Sequence, residues 1–330
     1  MNHLSSGDAL PSELKLGVLI NTQSGRNRTG MQALDALLVS HPDIPVERPT
    51  APAATAASLA ALASRGVTVL AVCGGDGTVQ QVLNVILAPA SPFAHVPALA
   101  ILPGGTTNMI AHDLNDASRP TAVLETILKH FHGKTLSSRL TTRPVIRLSG
   151  GDAAVPAYGL FFGAAGIYEA TMDNRSGIDR LGVRDGLGPA LRILAILFKI
   201  AIGRDPFAPT PMQIAIDGRA YGEKATVVLL ASTMNKLSMG LKPFWGDGQG
   251  SIRLTLVFEA SRSLLSAVWL AVRSRPHKLL TPANGYDSLC ADRIELAFDG
   301  GCVLDGENFQ ASRARPILLE SIGNLQFLRG

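Results

Sequence analysis

Cysteine is scarce in this chain: Cys73, Cys290 and Cys302 are the only three in 330 residues. An odd number, with no C-x-x-C spacing, excludes a disulfide framework and supplies no zinc motif. A reducing compartment fits that usage. Charge is also low, at 17% Asp, Glu, Lys and Arg against 46% hydrophobic residues, which excludes a disordered chain and leaves ample material for a core. Long unbroken apolar runs are missing. The longest, Leu187 to Gly203, is interrupted by Gly188, Pro189, Arg192 and Lys199, short of the roughly 20 residues that a spanning helix requires. Met1 to Leu14 carries Ser, Asp, Pro and Glu where an export signal would have a basic start and an apolar run. The expected location is cytoplasmic, extending to a peripheral position at the inner membrane surface.

No strongly basic field is present either. The formal charge of +4 is too small to suggest a nucleic-acid partner. It is unevenly spread: residues 1–133 hold 7 basic and 9 acidic side chains, and residues 134–330 hold 23 and 17. Any attraction to an anionic surface belongs to the second half.

What is there falls into two rhythms. Over residues 16–130, short apolar runs at Leu16 to Ile20, Val67 to Val72 and Ala98 to Leu102 each lead through a Gly-rich or polar turn. A helical pattern follows each one, at Met31 to Val39, Val79 to Leu87 and Thr107 to Leu114. Alternation of this kind gives a Rossmann-like α/β domain with a parallel sheet. After about Gly133, apolar and polar residues alternate at Arg139 to Leu148, Thr226 to Thr233, Ser251 to Phe258, Arg293 to Phe298 and Ile317 to Ile322. That period predicts a mostly antiparallel C-terminal domain. The expected division is therefore 1–133 and 134–330. His130 and His132 have the spacing of a strand and are expected to be solvated.

In an open α/β sheet, ligands gather at the carboxyl ends of the strands, and there three turns follow the three runs. Cys73-Gly74-Gly75-Asp76-Gly77-Thr78 removes the Cβ atoms that would block a phosphate and sits where a helix presents unpaired N–H groups. Asp76 would repel a phosphate unless a divalent cation or a substrate hydroxyl lay between them; the alternative is a tight turn with Asp76 capping the helix. Pro103-Gly104-Gly105-Thr106-Thr107-Asn108 repeats the Gly pair and adds uncharged donors, and Asn21-Thr22-Gln23-Ser24-Gly25-Arg26 supplies an amide, a hydroxyl, a flexible Gly and a cation. Neither a P-loop nor a dinucleotide fingerprint appears.

These residues resemble the diacylglycerol kinase catalytic-domain family of lipid kinases, which includes bacterial lipid kinases and sphingosine and ceramide kinases. Its pattern of an N-P-x-S-G-like turn, G-G-D-G-T-x-N-E-V-x-N, P-x-G-T-x-N-D-x-A and a late D-G-E is matched by Asn21 to Gly25, Gly74 to Asn84, Pro103 to Ala111, and Asp305-Gly306-Glu307. The resemblance implies an ATP- and Mg²⁺-dependent transfer of phosphate to a lipid alcohol such as diacylglycerol. The nucleotide would lie between a Rossmann-like N-terminal domain (1–133) and a β-sandwich lipid-substrate domain (134–330). It implies that Gly74, Gly75, Gly77 and Thr78 line the phosphates, with Asn21, Ser24, Gly25, Gly104, Gly105, Thr106 and Asn108 around the nucleotide. Asp76 would hold Mg²⁺ or the hydroxyl, Glu307 would be the general base, and Asp305 and Gly306 would support it. Taken without the family, Asp305-Gly306 is the favoured pair for a type I′ hairpin turn.

Gln80, Gln81, Met109 and His112 stand where the family usually has Asn, Glu, Asp and Arg. An amide at 81 cannot help hold a metal as a carboxylate would. A non-catalytic lipid- or nucleotide-binding protein is therefore one rival, and an NAD kinase, with a similar G-G-D-G turn, is the other. Two apolar helical stretches flanked by cations, Pro189 to Ile202 and Ser263 to Ser274, suit either a transient membrane-surface contact or a core position.

Overall fold

The computed structural model describes residues 10–11, 13–25, 31–115, 119–176, 208–237, 242–259, 261 and 278–330. The stretches at 189–202 and 263–274 lie outside the described residues, as does Arg26. Two compact units result: Met1–Arg143 with Gly323–Gly330, and Pro144–Ile322. The division falls ten residues beyond the expected one, and the last eight residues belong with the first unit.

In the first unit the strands are β1 (Leu16–Ile20), β2 (Val46–Glu47), β3 (Val69–Gly74) and β4 (Ala98–Pro103). The connecting helices are α1 (Gln32–Val39), α2 (Thr55–Ser64) and α3 (Asp76–Ile86). Strands β2, β1, β3 and β4 pair in that order, all parallel. Phe327 and Leu328 extend the sheet, parallel to Leu99 and Ala100, which is why the C-terminal residues join this unit. All fifteen backbone positions of β1, β3 and β4 from Leu16 to Ile20, Val69 to Cys73 and Ala98 to Leu102 are buried. Such continuous apolar runs, rather than alternating ones, mark a sheet covered on both faces. The chain moves outward from β1 in both directions, to β2 on one side and to β3 on the other. The carboxyl ends of β1 and β3 therefore flank the topological switch point, where a crevice opens.

Two further helices complete the unit, α4 (Met109–Leu114) and α5 (Pro120–His132). The latter corrects the strand spacing inferred for His130 and His132. Val123, Leu124, Ile127 and Leu128 are buried at helical spacing, and that apolar face sets the local structure over the two-residue repeat of the histidines. The His132 ring stacks on His41, with centroids 5.6 Å apart.

The second unit is antiparallel. Its strands are β5 (Leu140–Gly150, entering from the first unit), β6 (Ala157–Gly159), β7 (Phe161–Ala165), β8 (Thr210–Ile216), β9 (Arg219–Ser232), β10 (Ile252–Phe258), β11 (Tyr286–Ala291), β12 (Arg293–Ala297), β13 (Gly300–Leu304), β14 (Glu307–Ala311) and β15 (Ile317–Leu328, leaving for the first). One path runs β14–β13–β7–β9–β8–β12–β15, and β9 also pairs with β10, which pairs with β11. A helix, α6 (Gly166–Ser176), follows β7. Phe162, Leu229, Leu254, Ile294, Phe298 and Leu304 lie in the core between these strands, each contributing roughly 1.5–3 kcal/mol by burial.

One buried ion pair anchors α4. Arg143 Nε donates to Asp113 Oδ2 at 2.7 Å, and its Nη1 donates to the Thr142 carbonyl and the Thr141 hydroxyl. Removing one partner of such a pair strands a charge away from water. Asp113→Ala should cost about 3–5 kcal/mol in urea unfolding, and the double change Asp113→Leu/Arg143→Met should recover most of that loss. A single variant within 1 kcal/mol of the parent would show that water reaches the guanidinium, on the order of a surface pair.

Candidate functional site

Three turns meet at the carboxyl edge of the first unit's sheet, and the contacts among them are specific. β3 and β4 stay paired to their last residues, and the Gly104 N–H donates to the Gly74 carbonyl at 3.0 Å. The ladder thus delivers both glycine turns side by side. A Cβ on Gly105 would overlap the Gly75 Cα, and one on Gly25 would come within 2.7 Å of the Thr106 hydroxyl oxygen. Glycine at these positions is what allows backbone to pack on backbone.

The polar residues of the turns are mostly occupied with each other. The Asn21 amide donates to the Thr78 hydroxyl at 2.8 Å, Ser24 Oγ lies 3.3 Å from the same hydroxyl, and the Gly75 N–H donates to Ser24 Oγ at 3.4 Å. Thr78 is buried, and a Cβ on Gly74 would fall 2.6 Å from its side chain. Asn108 is also buried. Its carbonyl oxygen accepts from the Gly105 N–H and its amide donates to the Gly105 carbonyl, both at 2.7 Å. This closed ring holds Asn108 in the left-handed conformation, φ 51°, which Asn tolerates better than most residues.

Asp76 is the first residue of α3. Its Oδ2 accepts from the Met109 N–H at 3.1 Å and its Oδ1 from the Ile110 N–H at 3.0 Å. These are the first two residues of α4, so the carboxylate ties one helix start to the other. Enclosure of the carboxyl pushes its pKa up, against the downward pull of the Ile110 and Met109 N–H groups and of His112. The capping alternative therefore describes the contacts of Asp76, with the capped helix being α4 and not its own. Each oxygen accepts one backbone N–H and keeps a second lone pair, and no cluster of three or more His, Cys, Asp or Glu suited to a metal occurs among the described residues.

The platform leaves one face open. A Cβ added at Gly77 would meet nothing within 4 Å, Thr106 is exposed and Thr107 is half-buried. Gly77 lies in the first turn of α3, ahead of the Thr78 and Val79 N–H groups that donate to the Gly75 carbonyl, where the leading N–H groups of a helix lack intrahelical partners and the helix dipole is positive. That combination accommodates an anion such as a phosphate, and the glycine cradle fits a nucleotide's phosphate chain.

Behind the open face, Gln80 is fully buried with neither side-chain polar atom hydrogen-bonded among the described residues. Gln81 accepts from the Thr55 hydroxyl at 3.4 Å. A cavity of about 530 Å³ lies at the opposite, amino-terminal end of the strands, lined by Lys15, Asp35, His41, Arg48 and Arg65 among others. Its cations are largely paired, Arg48 with Asp35 at 2.8 Å and Arg65 with Glu47 at 3.7 Å.

In the second unit, Asp305 and Gly306 form the two-residue loop of the β13–β14 hairpin, with φ 45° and 98°, the two positive values of a type I′ turn. Asp305 is buried, its Oδ2 accepting from the Leu160 N–H at 2.8 Å and its Oδ1 from the Phe161 N–H at 2.9 Å. Glu307 opens β14. It is half-buried and has no hydrogen-bond partner among the described residues, and desolvation pushes its pKa up.

Sequence reasoning located these turns but missed the joins between them. The Asp76–α4 bonds span 33 and 34 positions and those from Asp305 span 145 and 144, so no local pattern signals them. The Asn108 ring is closer to legible, because an Asn three residues after a Gly pair and just ahead of a helix is a natural left-handed residue.

The first unit is thus a doubly wound α/β domain with a glycine-lined platform at its switch point, and the second is a mostly antiparallel sheet domain. Residues 15–136 match the diacylglycerol kinase catalytic domain. Two curated proteins of Staphylococcus aureus, from strains N315 and Mu50 and each provisionally named a lipid kinase, are 24% identical over 271 residues. The match covers 79% of this chain and 76% of theirs. A solved structure from Bacillus anthracis str. Sterne, provisionally titled a diacylglycerol kinase, superposes with TM-score 0.67 at 18% identity over 99% of this chain and 98% of its own. Another from the same source, titled a diacylglycerol kinase, gives 0.62 at 17% over 96% and 97%. These likenesses show the fold. No helix among the described residues is long and apolar enough to cross a membrane.

Two glycines separate folding from binding. Gly105→Ala should fail to fold or lose several kcal/mol, because the overlap is with backbone and has no soft neighbour to yield. Gly77→Ala should leave the melting temperature unchanged or raise it slightly, by the roughly 0.5–1 kcal/mol that alanine gains in a helix. The same change should weaken Mg-ATP binding by about tenfold or more in a calorimetric titration. Undiminished affinity would place the phosphates elsewhere.

Proposed function

We propose that this protein is an ATP-dependent lipid kinase that transfers the γ-phosphoryl group to the hydroxyl of a lipid alcohol such as diacylglycerol. The observation that carries the reading is the open glycine face at Gly77, at the start of α3, inside the segment that matches the diacylglycerol kinase catalytic domain. Phosphoryl transfer asks mainly for positioning and charge stabilisation. Backbone N–H groups at the start of α3, on turns fixed by the Asn21–Thr78 and Asn108–Gly105 bonds, are donors that need no reorganisation when charge shifts. Mg²⁺ would arrive as the nucleotide's counterion, since Asp76 is engaged and the described residues build no cage for it.

Glu307 is the base in this reading. Its carboxylate takes the proton of the lipid hydroxyl while that oxygen bonds to the γ-phosphorus, and the bond to the bridging oxygen breaks to release ADP. A carboxylate with no cation or donor beside it among the described residues, and with its pKa raised by desolvation, is a stronger proton acceptor than an ordinary glutamate. Contact with a membrane surface during capture of the lipid belongs to the same proposal.

The test is incubation with labelled ATP and a panel of lipid alcohols, with NAD as a parallel acceptor. A labelled lipid supports the reading, labelled NADP replaces it with an NAD kinase, and thermal stabilisation by Mg-ATP with no product replaces it with a non-catalytic nucleotide-binding protein.

Glu307→Gln should abolish turnover and leave Mg-ATP affinity within about twofold, because the base acts on the alcohol and not on the nucleotide. The acid limb of the parent's kcat/KM profile should lie above the usual glutamate range, since the base must be ionised and its pKa is raised. Stability follows the opposite sign. A carboxyl whose folded pKa is raised costs stability once it is ionised, so Glu307→Gln should be more stable than the parent near pH 7. That advantage should vanish as pH falls below the unfolded pKa. A Gln variant that is less stable at pH 7 would mean that Glu307 has an attractive partner.

A further inference from the structure

We infer that Asp76 is a positioning residue that locks the two glycine turns into one platform. The inference rests on the proposed kinase reading and departs from the role that resemblance implies for Asp76, a ligand to Mg²⁺ or to the hydroxyl.

The two motif aspartates are built alike. Asp76 accepts from consecutive backbone N–H groups, Met109 and Ile110 at 3.1 and 3.0 Å. Asp305 accepts from another consecutive pair, Leu160 and Phe161 at 2.8 and 2.9 Å. In each case one carboxylate spans two adjacent peptides of a segment remote in sequence, with one bond per oxygen, a use that requires short reach and two equivalent acceptors. Glu307 makes no such bond among the described residues. The substitutions agree: Met109 and Gln81 stand where the family pattern carries carboxylates, so neither of those two positions supplies a second acid beside Asp76. Around Asp76 the remaining joins run the same way, through Gly104 to Gly74 and Gly105 against Gly75. Loss of the Asp76 clamp would let α4 and the Gly104–Asn108 turn drift from α3, and misplacement of about 1 Å is enough for a hundredfold loss of rate.

Asp76→Asn and Asp76→Glu separate the roles. Asn keeps one acceptor and turns an NH₂ toward a backbone N–H; Glu keeps the charge but sets it one methylene too far out to span both donors. As a clamp, both variants should lower kcat by about tenfold or more while the Mg²⁺ concentration for half-maximal rate, measured at fixed ATP, stays within twofold of the parent. Amide exchange at Met109 and Ile110, slow in the parent, should accelerate in both. Half-activation by Mg²⁺ shifted upward tenfold in Asp76→Asn, or substantial kcat retained by Asp76→Glu alone, would overturn the inference and make Asp76 a ligand. Unchanged kcat in both would overturn it as well, leaving a merely structural bond. Should the parent phosphorylate no acceptor, the kinase reading fails separately, and the exchange measurement decides the clamp. Met109 and Ile110 amides exchanging as fast in the parent as in Asp76→Asn would then refute it.

Discussion

Backbone-on-backbone contact between Gly75 and Gly105 is the constraint from which the site follows. Two parallel neighbours, β3 and β4, end in register at Gly74 and Pro103, so their exit turns start about one strand spacing apart. Side chains there would wedge the turns open, whereas hydrogen atoms in place of Cβ let them close. Once they touch, α3 and α4 must start from the same small area, and a single carboxylate can reach from one helix to the other. The switch point between β1 and β3 brings the Asn21 turn to the same place, so topology and glycine together dictate where an anion can be held.

Polarity in these turns points inward. Asn21, Ser24, Thr78, Asp76 and Asn108 satisfy one another or the backbone, and what they hold in place is the turn from which α3 and its first N–H groups start. A phosphate recognised in this way meets donors fixed before it arrives, which act without the entropy cost of ordering long side chains. It also explains how the chain tolerates Gln at 80 and 81: neither amide belongs to the network that joins the turns. Gln80 is a different matter energetically. Burial of both its polar atoms without partners among the described residues costs on the order of 1–3 kcal/mol per group, against a platform whose other polar atoms are well matched.

The parallel half of the fold was legible because its strands are uninterrupted apolar runs punctuated by glycine. Leu16–Ile20 came out as read, and β3 and β4 end one or two residues later than their apolar runs do, since the ladder continues through Gly74 and Pro103. The antiparallel half was harder. β7 is buried at every position and rich in small residues, so it carries no alternation, and β8 opens with Thr210 and Pro211, which look like loop. The site was legible as a list of turns and illegible as a mechanism. Glycine, Asp and Asn in a turn announce themselves by conformation, but which backbone a carboxylate bonds is decided by tertiary register.

Asp305 shows why these positions are not simply glycine. Holding a non-glycine residue at φ 45° costs about 1–2 kcal/mol, and Gly would avoid it. The carboxylate, however, takes two backbone N–H bonds in a buried setting, and hydrogen bonds to a charged acceptor are worth roughly 1.5–3 kcal/mol each. The bonds outweigh the strain, and they make the hairpin tip part of the sheet next to it instead of a free loop. Gly159 carries the matching requirement, because a Cβ there would fall 2.6 Å from Asp305 Oδ2. Glu307, the residue after the turn, opens β14, so the same hydrogen bonds that stabilise the hairpin also fix where a carboxylate with no hydrogen-bond partner among the described residues stands.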